Sequence, residues 1–304
     1  MTEVFLGREA LGAGMHRSDL RRWYRPIFRG VYVPKRSDLT LYDRALGAWL
    51  TSDRRGVVTG VAASALHGAD WVDAVEPIEI LIKERRKQAG LIVRMDEYSA
   101  DEVTTVDGIA VTTRARTAFD LGRHQPRYRS IARLDALMRA APFDTNDVST
   151  IMRRYGPVRG VRQLRELLPL VDHGAASPKE SWLRLLLVDA GLPTPETQIP
   201  ILDEADEPFA FVDMGWRELQ LAVEYDGDQH RTSRPQYVKD MRRLERIARH
   251  GWEVIRVIAE DRPAAVLARI REAYIRRGGA EIDEMPSVTR TFAPIRSVGR
   301  NEAA

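Results

Sequence analysis

Phe211-Val212-Asp213-Met214-Gly215-Trp216, followed by Leu221-Ala222-Val223-Glu224-Tyr225-Asp226-Gly227-Asp228-Gln229-His230, decides how this chain is read. Both segments carry the β-branched and aromatic residues that favour strands, and the second runs into an Asp-Gly turn signal. In a strand from Leu219 to Asp226 the side chains alternate. Leu219, Leu221, Val223 and Tyr225 point to one face, and Gln220, Ala222, Glu224 and Asp226 to the other. A hairpin turning near Glu218 and Leu219 sets Asp213 opposite Glu224. Three carboxylates then converge, and Glu180, in the first turn of the helix before the sheet, is a fourth acid directed to the same place.

Such a cluster is unfavourable unless something offsets it. At about 4 Å two like charges repel by roughly 4 kcal/mol at an effective dielectric near 20. A hard cation such as Mg²⁺ (or Mn²⁺) removes that penalty, since it takes one or two carboxylates, keeps several waters and holds phosphate. Spacing alone fits a second reading equally well: an ordinary sheet edge whose acids face solvent, closed by a common turn.

The surrounding elements follow in clear order. Ser177-Pro178 reads as an N-cap with proline at the first helical position, and that helix runs to about Ala190 and stops at Gly191. Strands are expected at 198–202, 209–216 and 219–226. A helix over 236–250 carries Tyr237, Met241, Leu244 and Ala248 on one face. A strand over 252–258 and a helix over 263–277 complete an α-β-β-β-α-β-α order. Residues 285–304 read as a disordered tail.

Toward the N-terminus, a short helix ends near Gly14, and Ser18 is a plausible cap for a second with Leu20 and Trp23 as its apolar positions. Arg29-Gly30-Val31-Tyr32-Val33-Pro34 reads as a strand entered through a glycine turn. Two short helices and a basic hairpin outline a winged helix-turn-helix over residues 1–38, with Trp23 and Tyr32 assigned to its core. Residues 39–171 form an α+β unit, with helices at 41–50, 57–66, 130–140 and 161–168 and strands at 78–82, 91–93 and 111–113. That unit shows no glycine-rich phosphate loop and no metal-spaced cluster, and His67 and His124 read as structural. The last domain is expected over 175–280, after a linker at 172–176. The fold class expected is therefore α+β and multidomain.

The chain has 304 residues, 44% hydrophobic and 30% charged, enough for two or three domains. It contains no cysteine, which excludes disulfides, thiolate metal sites and cysteine nucleophiles. No apolar run approaches a membrane span and Met1–Ala10 lacks the features of a signal peptide, so a cytoplasmic location is expected. Net charge is only +3, but it is unevenly spread: eight lysines or arginines lie between Arg8 and Arg36, and eight more between Arg231 and Arg256. Basic clusters of this kind neutralise phosphates, or simply solvate a surface.

Two resemblances sharpen this picture. Val212-Asp213, then Val223-Glu224-Tyr225-Asp226-Gly227 with His230, and later Asp240, Arg243, Ile247, Gly251-Trp252 and Val254-Ile255-Arg256, closely resemble the Vsr-like branch of the restriction-endonuclease-like (PD-(D/E)xK) superfamily, over about 100 residues. The resemblance implies a metal-dependent nuclease that hydrolyses DNA phosphodiester bonds. Asp213 and Glu224 would be metal ligands, Glu180 the helix acid, Asp226 an accessory acid and His230 a handler of the attacking water or leaving oxygen. The wider superfamily has a lysine two residues after the strand glutamate, and this chain has Asp226 there. The general base thus stays open among His230, Gln229 and Lys239, and so does a domain that only grips DNA. Arg231, Arg234, Arg242, Arg243 and Arg246 are candidates for phosphate contact, the last three because they avoid the expected apolar helix face.

The front of the chain, with Arg29-Gly30-Val31-Tyr32, Ser64-Ala65-Leu66-His67-Gly68 and Arg116-Thr117-Ala118-Phe119-Asp120-Leu121, resembles AbiEi-type antitoxins of type IV toxin–antitoxin systems over about residues 5–125. The resemblance implies a DNA-binding repressor of its own operon, with a nucleotidyltransferase-like toxin as partner; a homodimer is open to it, since winged-helix repressors often act as dimers, but the sequence does not set the oligomeric state. Arg17, Arg21 and Arg22 would face the DNA groove, and Arg25 and Arg29 its backbone. The leading expectation is a DNA-binding, metal-dependent endonuclease. The alternative is a non-catalytic autorepressor and antitoxin.

Overall fold

The computed structural model describes residues 3–84, 87–227 and 234–281, and of Gln236 the backbone only. Among the described residues the chain is mixed α+β with three sheets. It divides into two compact units, with the break between Val171 and Asp172. Among the described residues no helix is long and apolar enough to cross a membrane.

The first unit opens with β1 (Phe5–Leu6), α1 (Gly7–Gly12), α2 (Arg17–Trp23), β2 (Tyr24–Phe28) and β3 (Val31–Pro34). The strands form a sheet in the order β1-β3-β2, and Gly30, with φ 76°, makes the β2–β3 turn. Ser18 is not a cap. Helix α2 begins one residue before it, after an extended His16. Trp23 is not core either: Leu20 takes the buried position of this short helix, and Trp23, at its end, is 57% exposed with the Arg22 guanidinium 4.8 Å from its ring. Tyr32 is half-buried beside the Phe5 ring.

Helix α3 (Leu41–Thr51) starts at a capping box, in which Thr40 and Asp43 satisfy each other's backbone N–H. The segment expected as one helix over 57–66 is split into β4 (Val57–Thr59) and α4 (Gly60–Leu66). Val57, Val58 and Thr59 are β-branched and pair with neighbouring strands on both sides, and Gly60 turns the chain at φ 61°. β5 (Ile78–Leu81), β6 (Leu91–Arg94), β7 (Val103–Val106) and β8 (Ile109–Thr112) complete a five-stranded sheet of order β6-β5-β4-β8-β7. Helices α5 (Arg114–His124), α6 (Arg127–Ala140), α7 (Thr145–Tyr155) and α8 (Val161–Leu167) follow. Helix α7, not among the expected helices, is capped by Asp144 and buries Val148, Ile151 and Met152 at helical spacing.

The second unit runs α9 (Pro178–Asp189), β9 (Glu196–Leu202), β10 (Pro208–Trp216), β11 (Leu221–Asp226), α10 (Arg234–Arg249), β12 (Glu253–Ile258) and α11 (Pro263–Arg276). Its sheet has the order β12-β11-β10-β9, with β11 and β12 parallel and the other pairs antiparallel. One apolar cluster joins Leu183, Leu186 and Leu187 of α9 to Leu221 and Val223 of β11 and to Val266 and Ile270 of α11. A second joins Ile199, Ile201, Val212 and Ala222 to Ile247 of α10. The face of α10 that packs is therefore not the one expected. Tyr237 and Met241 are exposed, and Ile247 is the residue driven into the core. Four apolar residues at helical spacing suggest a buried stripe, but the sheet offers its apolar surface to the neighbouring stripe instead.

Candidate functional site: an acidic cluster on the second sheet

The hairpin between β10 and β11 is closed by a 3₁₀ turn at Arg217–Leu219 and by Gln220 in the left-handed region, φ 47°. Its register pairs Met214 with Val223, Gly215 with Ala222 and Trp216 with Leu221. A Cβ at Gly215 would overlap the β11 backbone, so glycine is required for this close approach. The same register brings Asp213 to the Glu224–Tyr225 level, and the Tyr225 N–H donates to Asp213 Oδ2 at 2.9 Å. Because β11 lies between β10 and β12, Glu224 is not at a sheet edge. It is 9% exposed. The solvent-facing alternative is overturned by this placement.

The four expected acids do not all meet. Asp213 feels both Glu180 and Glu224. Glu180, buried in the first turn of α9, accepts from the Ala176 N–H at 2.8 Å, while its own N–H donates to Ser177 Oγ. Glu224 accepts from Arg243 of α10 at 2.5 and 3.3 Å, and that guanidinium also donates to the Phe211 carbonyl. Asp226 instead pairs with Arg256 of β12 at 2.6 Å, on the parallel neighbour strand. His230, Gln229 and Arg231 lie outside the described residues, and Lys239 is exposed on α10.

Burial pushes the Asp213 carboxyl up to about 7, with the Glu180 and Glu224 charges adding to the rise, while the Tyr225 N–H and the Arg243 guanidinium oppose it. A carboxyl that holds its proton to neutral pH marks a buried position where the neighbouring positive charge does not offset desolvation. Among the described residues no group of three or more histidines and acids is arranged to hold a metal ion. Asp213 and Glu224 are hard oxygen donors of the kind Mg²⁺ or Mn²⁺ takes in ones and twos, and both Glu224 oxygens already accept from Arg243.

The cationic candidates divide in a similar way. Arg17, Arg21, Arg22 and Arg29 are exposed on α2 and at the β2–β3 turn, as are Arg234 and Arg242 on α10. Arg25 is half-buried and donates to the Ser37 carbonyl. Arg246 pairs with Asp203 at 3.2 Å and lies 3.9 Å from the Phe209 ring. Arg243 does not avoid the packed side of α10. It lies four residues before Ile247 and is turned inward to Glu224, a role the helical periodicity does not disclose because only the true packing face defines which side is inner.

The first unit holds a second buried charged group. Arg116, fully buried, is held by Glu102 at 2.5 Å, by Asp120 at 3.0 Å and by the Glu97 carbonyl at 2.8 Å. Thr59 donates to Asp120 as well, and Tyr155 and Arg154 both donate to Glu102. The Arg116–Asp120 motif is thus a structural lock.

Residues 49–170 match the family described as AbiEi antitoxin C-terminal domain. The match reaches beyond the expected limit at residue 125 and takes in α6, α7 and α8. Two Mycobacterium tuberculosis proteins, Uncharacterized protein MT2308 of strain CDC 1551 / Oshkosh and Uncharacterized protein Rv2248 of strain ATCC 25618 / H37Rv, are each 29% identical over 254 residues, covering 83% of this chain and 90% of the relative. An aligned length of 254 residues exceeds the whole first unit, so the likeness runs into the second.

Proposed function

We propose that this chain is a DNA-binding regulator of the antitoxin kind, repressing its own operon and answering to a nucleotidyltransferase-like toxin. The observation that carries this reading is the match of residues 49–170 to the AbiEi antitoxin C-terminal domain. The N-terminal module supports it: two short helices followed by a hairpin, with Arg17, Arg21 and Arg22 exposed on the second helix and Arg29 at the turn, have the layout of a winged helix-turn-helix. A gel-shift titration of the purified chain on DNA from upstream of its own gene tests this. Binding at least ten-fold tighter than to shuffled DNA, weakening steeply with salt, is expected. Equal binding to both, or binding insensitive to salt, would remove the regulator reading.

A second reading concerns the second unit, and the raised Asp213 carboxyl favours it. The α-β-β-β-α-β-α order and the Asp213–Glu224 pair suit a metal-dependent endonuclease of the restriction-endonuclease-like type, acting on DNA. Asp213 and Glu224 would hold Mg²⁺ or Mn²⁺, which supplies charge stabilisation at phosphate and lowers the pKa of a water. Arg243 keeps Glu224 aimed through its guanidinium donors, and Glu180 sustains the negative potential at Asp213. Plasmid nicking with Mg²⁺ or Mn²⁺, beside Asp213→Ala and a chelator, checks it. Nicking that survives Asp213→Ala would place any activity elsewhere.

A further inference from the structure

A cavity of about 390 Å³ in the first unit is lined by Arg94, Asp96, Arg123, His124, Val158 and Arg159. It shares no element with the N-terminal arginines: its walls come from the end of β6 and the segment after it, the C-terminal turn of α5, and the loop between α7 and α8. Three guanidiniums and an imidazole line it against one carboxylate. That carboxylate is already offset. Asp96 lies 3.2 Å from Arg123 and 3.5 Å from His124. Arg94 is anchored by buried Glu79 at 2.6 Å.

The basic wall is rigid. The Arg123 side chain is buried, with its guanidinium 4.3 Å from the Phe119 ring, its Nη1 on the Arg159 carbonyl at 3.1 Å and its Nη2 on Asp120 at 3.2 Å. Its Nε is buried without a hydrogen-bond partner among the described residues. Gly160, at φ 81°, closes the loop onto the end of α5, where any Cβ would overlap the Arg123 carbonyl oxygen. Arg159 is therefore held beside Arg123 by the backbone, and its exposed side chain makes no ion pair among the described residues.

We infer that this cavity binds a small phosphate-bearing ligand of nucleotide size, its phosphate held by Arg94 and Arg159 beside the buried Arg123 charge. Arginine clusters match phosphate geometry with paired N–H donors, and the volume is that of a small-molecule site rather than of a bare ion or a duplex. The His124 ring adds a further hydrogen-bonding group at the same wall. The cavity shares no residue with the N-terminal module or with the acidic cluster, so it survives or fails independently of both.

Calorimetric titration of the full chain with AMP, adenosine and inorganic phosphate tests the inference. AMP is expected to bind and adenosine not to bind at the same concentrations. Arg159→Ala, on the exposed rim, is expected to weaken AMP by about ten-fold or more with unchanged melting temperature, and Arg159→Lys to fall between, since lysine keeps the charge but not the paired donors. Failure of both AMP and phosphate to bind the unmodified chain overturns the inference, as does equal AMP affinity in Arg159→Ala. Loss of short-duplex DNA affinity in Arg159→Ala without any AMP binding also overturns it, because the wall would then be a nucleic-acid backbone contact.

Discussion

Each unit buries a charged cluster, and the two are built on opposite principles. Around Arg116 the charges are matched: Glu102 and Asp120 hold the guanidinium, and Arg154, Tyr155 and Thr59 donate to those same carboxylates. Around Asp213 they are not matched, for burial first and then the Glu180 and Glu224 charges raise its carboxyl, and Arg243 is tied to Glu224. A matched buried network specifies a fold and is destroyed by removing one member. An unmatched one stores electrostatic strain, which is tolerated where a ligand relieves it.

The contrast breaks most visibly at Asp213. If the second unit is catalytic, Asp213→Ala should lower metal-dependent nicking by at least about 10²-fold while leaving gel-shift binding intact. In the first unit, Arg116→Met should destabilise by about 3–5 kcal/mol in urea unfolding, since it removes the fully buried cation shared by Glu102 and Asp120 and breaks the network between them. A loss under about 1 kcal/mol would show that the network does not lock the fold.

The pH dependence sharpens the contrast. Asp213 ordinarily titrates near 3.8 and in the folded chain near 7. Between those values the native state keeps a proton that the unfolded chain has lost. Its contribution therefore stabilises fully below 3.8, fades as pH rises to about 7 and is flat above. The decline should amount to a few kcal/mol, and Asp213→Asn should abolish it in unfolding titrations across that window. At pH 8, Mg²⁺ at about 100 times its Kd should raise stability by about 2.7 kcal/mol in the unmodified chain and by much less in Asp213→Asn. The smallest effect lies outside both clusters. Arg21→Ala should reduce the salt slope of DNA binding by about one unit, as expected when one phosphate is no longer neutralised, and an unchanged slope would take Arg21 off the interface.

Much of the second unit is legible in the sequence because its signals are local. The Ser177-Pro178 start, the Gly191 stop and the alternation through Leu221–Tyr225 each follow from backbone chemistry within a few residues. The split of 57–66 is carried by three β-branched residues that favour strand, while the alanines that follow them stay helical in α4. Helix α7 carries a visible cap at Asp144 and a spaced Val148, Ile151 and Met152. The pocket around Arg123 offers no such signal, since its arginines at 94, 123 and 159 come from three separated elements.

The sequence by itself determined the element order of the second unit, the carboxylates on one strand and the absence of thiol chemistry, because periodicity, caps and residue inventory are properties of the chain alone. Tertiary structure decided which charges are matched. It sent Asp226 to Arg256, turned Arg243 inward to Glu224 and left Trp23 in solvent. These outcomes depend on strand neighbours and on which helix face meets the sheet. The ionisation of a buried carboxyl is likewise set by the sum of groups brought within a few ångströms, most of them distant in sequence.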